Sequence, residues 1–156
     1  MVSNIYLNDV CKYLNNYQGT YSCDGIKKPD LTNNISTYIF NLSKLNAKGS
    51  HFVAIQINSK AKKVIYFDSF GFPCTNNDIL SFIYSVNKKY EYNTKQIQPF
   101  GSSYCGIYCL AFVMYHDSNN KNFINFLKMF NSDKLIKNDN IAVNYILHNS
   151  KVLSPK

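Results

Sequence analysis

Residues 98 to 115 read QPFGSSYCGIYCLAFVMY, and the character of the chain changes halfway through them. Gln98 to Tyr104 contains Pro99, Gly101, Ser102 and Ser103, residues that punctuate regular structure rather than extend it. From Cys105 to Tyr115 the residues are apolar on every side, which predicts a helix buried all round. Cys105 stands at the junction. A thiol at a helix N-terminus lies at the positive end of the helix dipole, so more of it is the nucleophilic thiolate. Gly106 has no side chain and would let a peptide backbone approach that sulfur closely.

Such a helix needs a sheet to cover it, and strands are legible upstream. Residues 34 to 42 (NISTYIFNL) have strand composition. Ala47-Lys48-Gly49-Ser50 reads as a turn, His51 to Ile57 as a strand, Asn58 to Lys62 as a hairpin turn, and Lys63 to Phe67 (KVIYF) as the partner strand. The start of one antiparallel strand lies beside the end of its partner. His51 and Asp68, seventeen residues apart, therefore become neighbours across the ladder.

Outside this centre, Ile5, Tyr6, Val10 and Leu14 predict an opening helix over 4–16, and Gly19-Thr20-Tyr21 with Asp24-Gly25 predict a loop. Gly71, Pro73 and Cys74 break the chain. Asn76-Asn77-Asp78 can then cap a helix through Ile79, Leu80, Phe82 and Ile83. A short strand is expected at Thr94 to Gln98, and two more helices at about 121–131 and 139–148. The fold class is α+β: a central, mostly antiparallel sheet flanked by helices, with one apolar helix buried at its centre.

No repeat or linker divides the 156 residues, which suit a single domain, 1–156. Hydrophobic residues at 46% against 17% charged exclude a disordered chain, and the 13 Tyr and 11 Phe demand burial of many rings. The formal charge is +8, which allows a nucleic acid as a partner of the basic surface. Yet every basic residue is Lys, Glu91 is the only glutamate, and Asn and Ile abound, as an A+T-rich coding sequence would produce; the lysines form scattered pairs rather than a stripe. The N-terminal residues lack a signal-peptide core, and the longest apolar run, Ile107 to Tyr115, falls short of the roughly 20 residues that span a bilayer. A soluble, intracellular monomer with reduced thiols and no membrane contact is expected.

His51, Asp68, Gln98 and Cys105 are the candidate catalytic residues. Cys105 would attack, His51 would serve as its base, and Asp68 would hold the imidazole in its working orientation. The Gln98 amide could join the Cys105 N–H in stabilising an oxyanion, an interaction worth about 3 kcal/mol. Taken singly, each has a plainer reading: a structural histidine, a turn-forming aspartate, a small core cysteine. Their order and their places at element ends favour the catalytic one. Cys109, one helical turn after Cys105, reads as core packing, since His116 alone makes a poor further zinc ligand. Cys11, Cys23 and Cys74 read as ordinary thiols, and His116 and His148 as exposed helix residues. No cofactor or metal is called for.

These segments resemble the adenain-type cysteine peptidases of adenoviruses and related DNA viruses and virus-like elements. Gly49-Ser50-His51-Phe52-Val53-Ala54 is similar to that family's Gly-x-His-aromatic-x-Ala strand, with Phe52 where Trp is frequent. Tyr66-Phe67-Asp68-Ser69-Phe70-Gly71-Phe72 is similar to its Phe-acid-x-Phe-Gly-Phe segment, with Asp in place of the Glu common in mammalian adenoviruses. Gln98 to Gly106 matches the Gln-to-Cys interval, Ile107-Tyr108-Cys109 continues it, and Gly19-Thr20-Tyr21 resembles a segment near the family's N-terminus. The resemblance spans about residues 17 to 115. It implies the adenain and ubiquitin-like-protease fold, which is papain-like, and the roles given above for His51, Asp68, Gln98 and Cys105. It further implies an endopeptidase that matures virions by cutting capsid or core precursor proteins inside the virion and the infected cell's nucleus or virus factory. An activating peptide and DNA are the partners known to stimulate the adenovirus enzyme.

Two other readings compete. Proteases for ubiquitin-like modifiers share the fold and the His, Asp, Gln, Cys order. They resemble Gln-x-x-x-x-Asp-Cys-Gly at the nucleophile, whereas here the interval is one residue longer and Tyr104 replaces the acid. A catalytically silent, nucleic-acid-binding virion component would not need all four site residues intact.

Overall fold

The computed structural model describes residues 2–45, 47, 51–118 and 121–156. Five strands, β1 (Tyr17–Ser22), β2 (Ile35–Asn41), β3 (Phe52–Asn58), β4 (Lys63–Phe67) and β5 (Glu91–Tyr92), form one sheet in that spatial order. The central strands β2, β3 and β4 are antiparallel, and each edge strand runs parallel to its neighbour. Both faces of the sheet are covered. Phe52 and Ala54 of β3 pack with helix α3 (Cys105–Tyr115), while Val53, Ile55 and Ile57 pack with helix α2 (Asn77–Tyr84). Burial on both faces explains why β2 and β3 read as nearly unbroken apolar runs. Helices α1 (Asn4–Cys11), α4 (Phe123–Leu127) and α5 (Asn138–His148) enclose α3 on its own side.

The buried helix is where the sequence placed it, starting at Cys105, with eight of its eleven residues inaccessible. Phe67 of β4 stacks on Phe112 of α3 at 5.1 Å between ring centroids, and Phe126 meets both rings edge-on. The β3–β4 hairpin and α2 also stand as read. Asn76 caps α2 by accepting from the N–H groups of Asp78 and Ile79. No helix among the described residues is long and apolar enough to cross a membrane.

Five expectations need correction. The opening helix stops at Cys11 instead of reaching residue 16, because the Leu14 N–H turns back onto the Cys11 carbonyl. Its buried face is Leu7 and Cys11, leaving Ile5 82% exposed. The expected loop at Gly19-Thr20-Tyr21 is the edge strand β1. There the Asn8 side chain accepts from the Thr20 N–H and donates to its carbonyl, standing in for a further strand. Gly19, at φ +137° beside a register shift, accommodates a backbone that a Cβ would drive into the Tyr21 ring. The strand expected at Thr94–Gln98 lies instead at Glu91–Tyr92, since Asn93 leaves the ladder to pair with the backbone of Asp68. Finally, His116 is fully buried against Phe112, not exposed, and burial lowers its pKa to about 4. The helix expected near 121–131 is shorter, with Asn122 capping Phe123–Leu127. In the turn expected at residues 47–50, Lys48, Gly49 and Ser50 lie outside the described residues.

Candidate active site

His51 immediately precedes β3, and its carbonyl accepts from the Leu42 N–H at the end of β2. Ala54 pairs with Phe67, so Asp68 follows the last rung of the β3–β4 ladder. The ladder brings the two side chains together: His51 Nε2 lies 2.8 Å from Asp68 Oδ1. Phe70 stacks beside the imidazole at 5.2 Å between centroids, limiting ring rotation. Asp68 is 4% exposed, and the same Oδ1 also accepts from the Phe70 N–H. Asn93 clamps the Asp68 backbone, accepting from its N–H and donating to its carbonyl. Nothing in the sequence around Asn93 signalled this role.

Cys105 opens α3, and no side chain caps that helix. The first-turn N–H groups therefore keep their positive field for the sulfur. His51 and the backbone of Phe52 and Gly106 surround the thiol and favour its charged form. Because Nε2 is taken by Asp68, Nδ1 is the nitrogen left to face the sulfur. Burial works against charge on both partners. For His51 that penalty is outweighed by hydrogen bonds and charge from Asp68 and Cys105, which raise its pKa to about 9. For Cys105, burial is likewise outweighed by His51 and the backbone donors, and its pKa falls below the ordinary thiol value. Both shifts favour a thiolate–imidazolium pair.

This sets Cys105 apart from its neighbours. Burial pushes the Cys11 thiol up to about 12 and the Cys74 thiol up to about 11, and Cys109, wholly buried, lies well above the ordinary value. Iodoacetamide at neutral pH should therefore alkylate Cys105 at least tenfold faster than Cys11, Cys74 or Cys109, read by peptide mass mapping. Equal rates would contradict the ion pair. The Cys105 rate should stay high up to about pH 9 and lose its imidazolium dependence above it.

Gln98 is buried beneath the same cavity. Its Oε1 accepts from the Ser69 hydroxyl at 2.5 Å, and its Nε2 donates to the Ser102 carbonyl at 2.7 Å. These contacts fix which end of the amide points where, and an NH2 group carries a second donor besides the one Ser102 accepts. The cavity, about 490 Å³, is lined by His51, Phe52, Phe70, Gln98 and Cys105 together with the N-terminal Val2–Asn4. Gly106 also makes room for the walls of the cavity. A Cβ there would meet Val2 Cβ at 3.1 Å and Phe52 at 3.4 Å, so the glycine seats the cavity's own walls beside the sulfur.

Gly71 secures the loop after Asp68. It sits at φ +77°, and a Cβ would come within 2.6 Å of the Lys95 backbone. Gly71→Ala must shift either the Asp68 loop or the segment leading to Gln98. The strained φ alone costs about 1–3 kcal/mol, so both the thermal midpoint and the Cys105 alkylation rate should fall. A folded, fully reactive alanine variant would show that the close approach is dispensable.

The sequence-predicted site residues thus converge: His51, Gln98 and Cys105 line one cleft, and Asp68 lies buried against His51. Ser69 and Asn93, which hold Gln98 and Asp68, were not foreseen. No family model matches the chain, and no curated protein is significantly similar to it. Among solved structures, ChlaDub1 from Chlamydia trachomatis matches with a TM-score of 0.51 and 14% identity, over 77% of this chain and 61% of its own. An ASFV protease matches with a TM-score of 0.49 and 16% identity, over 70% and 43%. AvrA, solved with IP6 and CoA, matches with 0.46 and 14%, over 94% and 67%. The chain therefore spans 61% and 43% of the first two of these proteins, less than two thirds of each. The likeness to ChlaDub1 shows the fold: an α+β sheet flanked by helices, of the adenain and ubiquitin-like-protease type found in cysteine peptidases.

Proposed function

We propose that this chain is a cysteine endopeptidase that processes capsid or core precursor proteins during virion maturation. The observation that carries the peptidase chemistry is the 2.8 Å His51–Asp68 contact beside a thiol whose pKa is lowered by that same histidine. In the proposed reaction the Cys105 thiolate attacks the scissile carbonyl carbon, and the carbonyl electrons move onto oxygen. The Cys105 N–H and the remaining Gln98 amide proton stabilise that oxyanion. Collapse of the intermediate breaks the C–N bond, and His51 gives its proton to the departing amine, leaving a thioester on Cys105. Water, deprotonated by His51, then hydrolyses the thioester and regenerates the thiolate. Asp68 stabilises the imidazolium throughout.

The virion-maturation part rests on the motif resemblance, as does the expectation of an activating peptide. A nucleic-acid partner rests on the lysine excess. The test is co-expression with capsid and core precursors encoded beside the chain, followed by sequencing of new N-termini. Termini that appear with the wild type and vanish with the Cys105→Ala variant support the reading. Covalent capture by a reactive ubiquitin or SUMO C-terminal probe, without precursor cleavage, would transfer the same chemistry to a modifier isopeptidase.

A further inference from the structure

We propose that Asp139, in the first turn of α5, is a positioning residue for the oxyanion-stabilising loop; this rests on the cysteine-peptidase reading. The loop from Gln98 to Tyr104 supplies the Gln98 amide and delivers the backbone to the Cys105 N–H. Beyond the buried Gln98 and Pro99 it has little packing of its own. Phe100 is 88% exposed, Gly101 stands at φ +79° with no heavy atom near its Cβ position, and Ser103 is exposed too. Something else must hold it.

Asp139 does so through a chain of hydrogen bonds. Its Oδ1 accepts from the Ser102 hydroxyl at 3.0 Å and from the Tyr108 hydroxyl of α3 at 2.9 Å. The Ser102 hydroxyl accepts in turn from the Tyr104 N–H at 3.3 Å. The Ser102 carbonyl accepts the Gln98 Nε2 proton at 2.7 Å. One carboxylate oxygen therefore ties Ser102 to the helix that begins with Cys105. Ser102 then fixes the Gln98 amide with its carbonyl and the Ser103–Tyr104 peptide with its hydroxyl. The adjacent Asn138, fully buried, holds the loop's other end by donating to the Ile97 carbonyl at 2.8 Å. The first turn of α5 is thus the anchor of both oxyanion donors, although it lies beyond the 17–115 stretch that carries the motifs.

The consequence is separable from the thiolate. Alkylation by iodoacetamide displaces iodide at a saturated carbon and needs only the Cys105 thiolate. Acylation by 4-nitrophenyl acetate passes through a tetrahedral oxyanion and needs the loop as well. In full-length protein, Asp139→Ala should lower the Cys105-dependent acylation rate by about 10- to 100-fold, below the full loss seen when an oxyanion donor is deleted. The iodoacetamide rate should stay within about twofold. Asp139→Asn keeps an oxygen acceptor for Ser102 and Tyr108 and should restore most of the acylation rate, which separates positioning from misfolding. Unchanged acylation in Asp139→Ala, or an equal fall with both reagents, overturns the assignment while leaving the peptidase reading intact. Wild-type protein that acylates no faster than Cys105→Ala would take down both.

Discussion

Cys105→Ala should reduce cleavage of any protein substrate by at least about 10⁴-fold while leaving the fold in place. The size of the loss follows from the chemistry. Without the sulfur no acyl-enzyme can form, and the oxyanion donors alone leave only a residue of catalysis. Survival of the fold follows from the packing. Cys105 is only half-buried at the lip of the cavity, and the core beneath it is built from Cys109, Phe112 and Phe67. Removing one sulfur there opens no interior void, so the thermal midpoint should move by a few degrees at most. Cleavage by this variant at wild-type rate would end the assignment of the nucleophile.

Asp68→Asn should cost about 10²- to 10⁴-fold in turnover with the geometry largely retained. An asparagine oxygen can still accept from His51 Nε2 and the Phe70 N–H, the two donors that meet Asp68 Oδ1. What disappears is the negative charge. Burial then lowers the His51 pKa without its main opposing influence, so the imidazolium is no longer stable up to about pH 9. The Cys105 thiol, which depends on that cation, should regain a higher pKa and react more slowly with iodoacetamide at neutral pH. The His51 pKa is raised in the folded protein, so its contribution to stability is full below the ordinary histidine value and is lost as pH rises through about 9. The Cys105 pKa is lowered, so its contribution grows as pH rises toward the ordinary thiol value, and the ion pair carries as many protons as a free thiol with a neutral imidazole. The alkylation rate, rather than the denaturation midpoint, therefore reports the change: Asp68→Asn should slow it between about pH 7 and 9, and an unchanged rate would detach Asp68 from the histidine's charge.

Much of this site was legible because two local rules and one pairing rule suffice for it. Alternation and turns locate the β3–β4 hairpin, and antiparallel pairing makes the contact of His51 with Asp68 geometrically inevitable. A wholly apolar helix after a Gly/Ser loop marks Cys105. The failures share a cause. Asn8 pairs with the Thr20 backbone, Asn93 with Asp68 and Asn138 with Asn131, each side chain accepting from the N–H and donating to the carbonyl. In each case an amide side chain does what a strand would do. Read along the chain, asparagine signals turns or an A+T-rich coding bias. Only folding shows which of its many copies became ladder substitutes, so β1 was missed and β5 misplaced. His116 failed for a related reason: helical periodicity could not tell that Phe112, Phe123 and Phe126 would enclose its ring.

The amino-acid order by itself determined the α+β class, the buried helix, the hairpin and the four residues whose chemistry the cleft gathers. These follow from short-range periodicity and from the fixed geometry of neighbouring strands. The tertiary structure alone decided what holds that chemistry in place: Asn93 behind Asp68, Ser69 and Ser102 around Gln98, and Asp139 beneath the loop. Apart from the Ser102–Gln98 bond, four positions apart, those contacts join residues 25 to 37 positions apart through single polar groups. A hydrogen bond of that range leaves no periodic trace in the sequence. It exists only once the packed core has brought its two ends within 3 Å or so of each other.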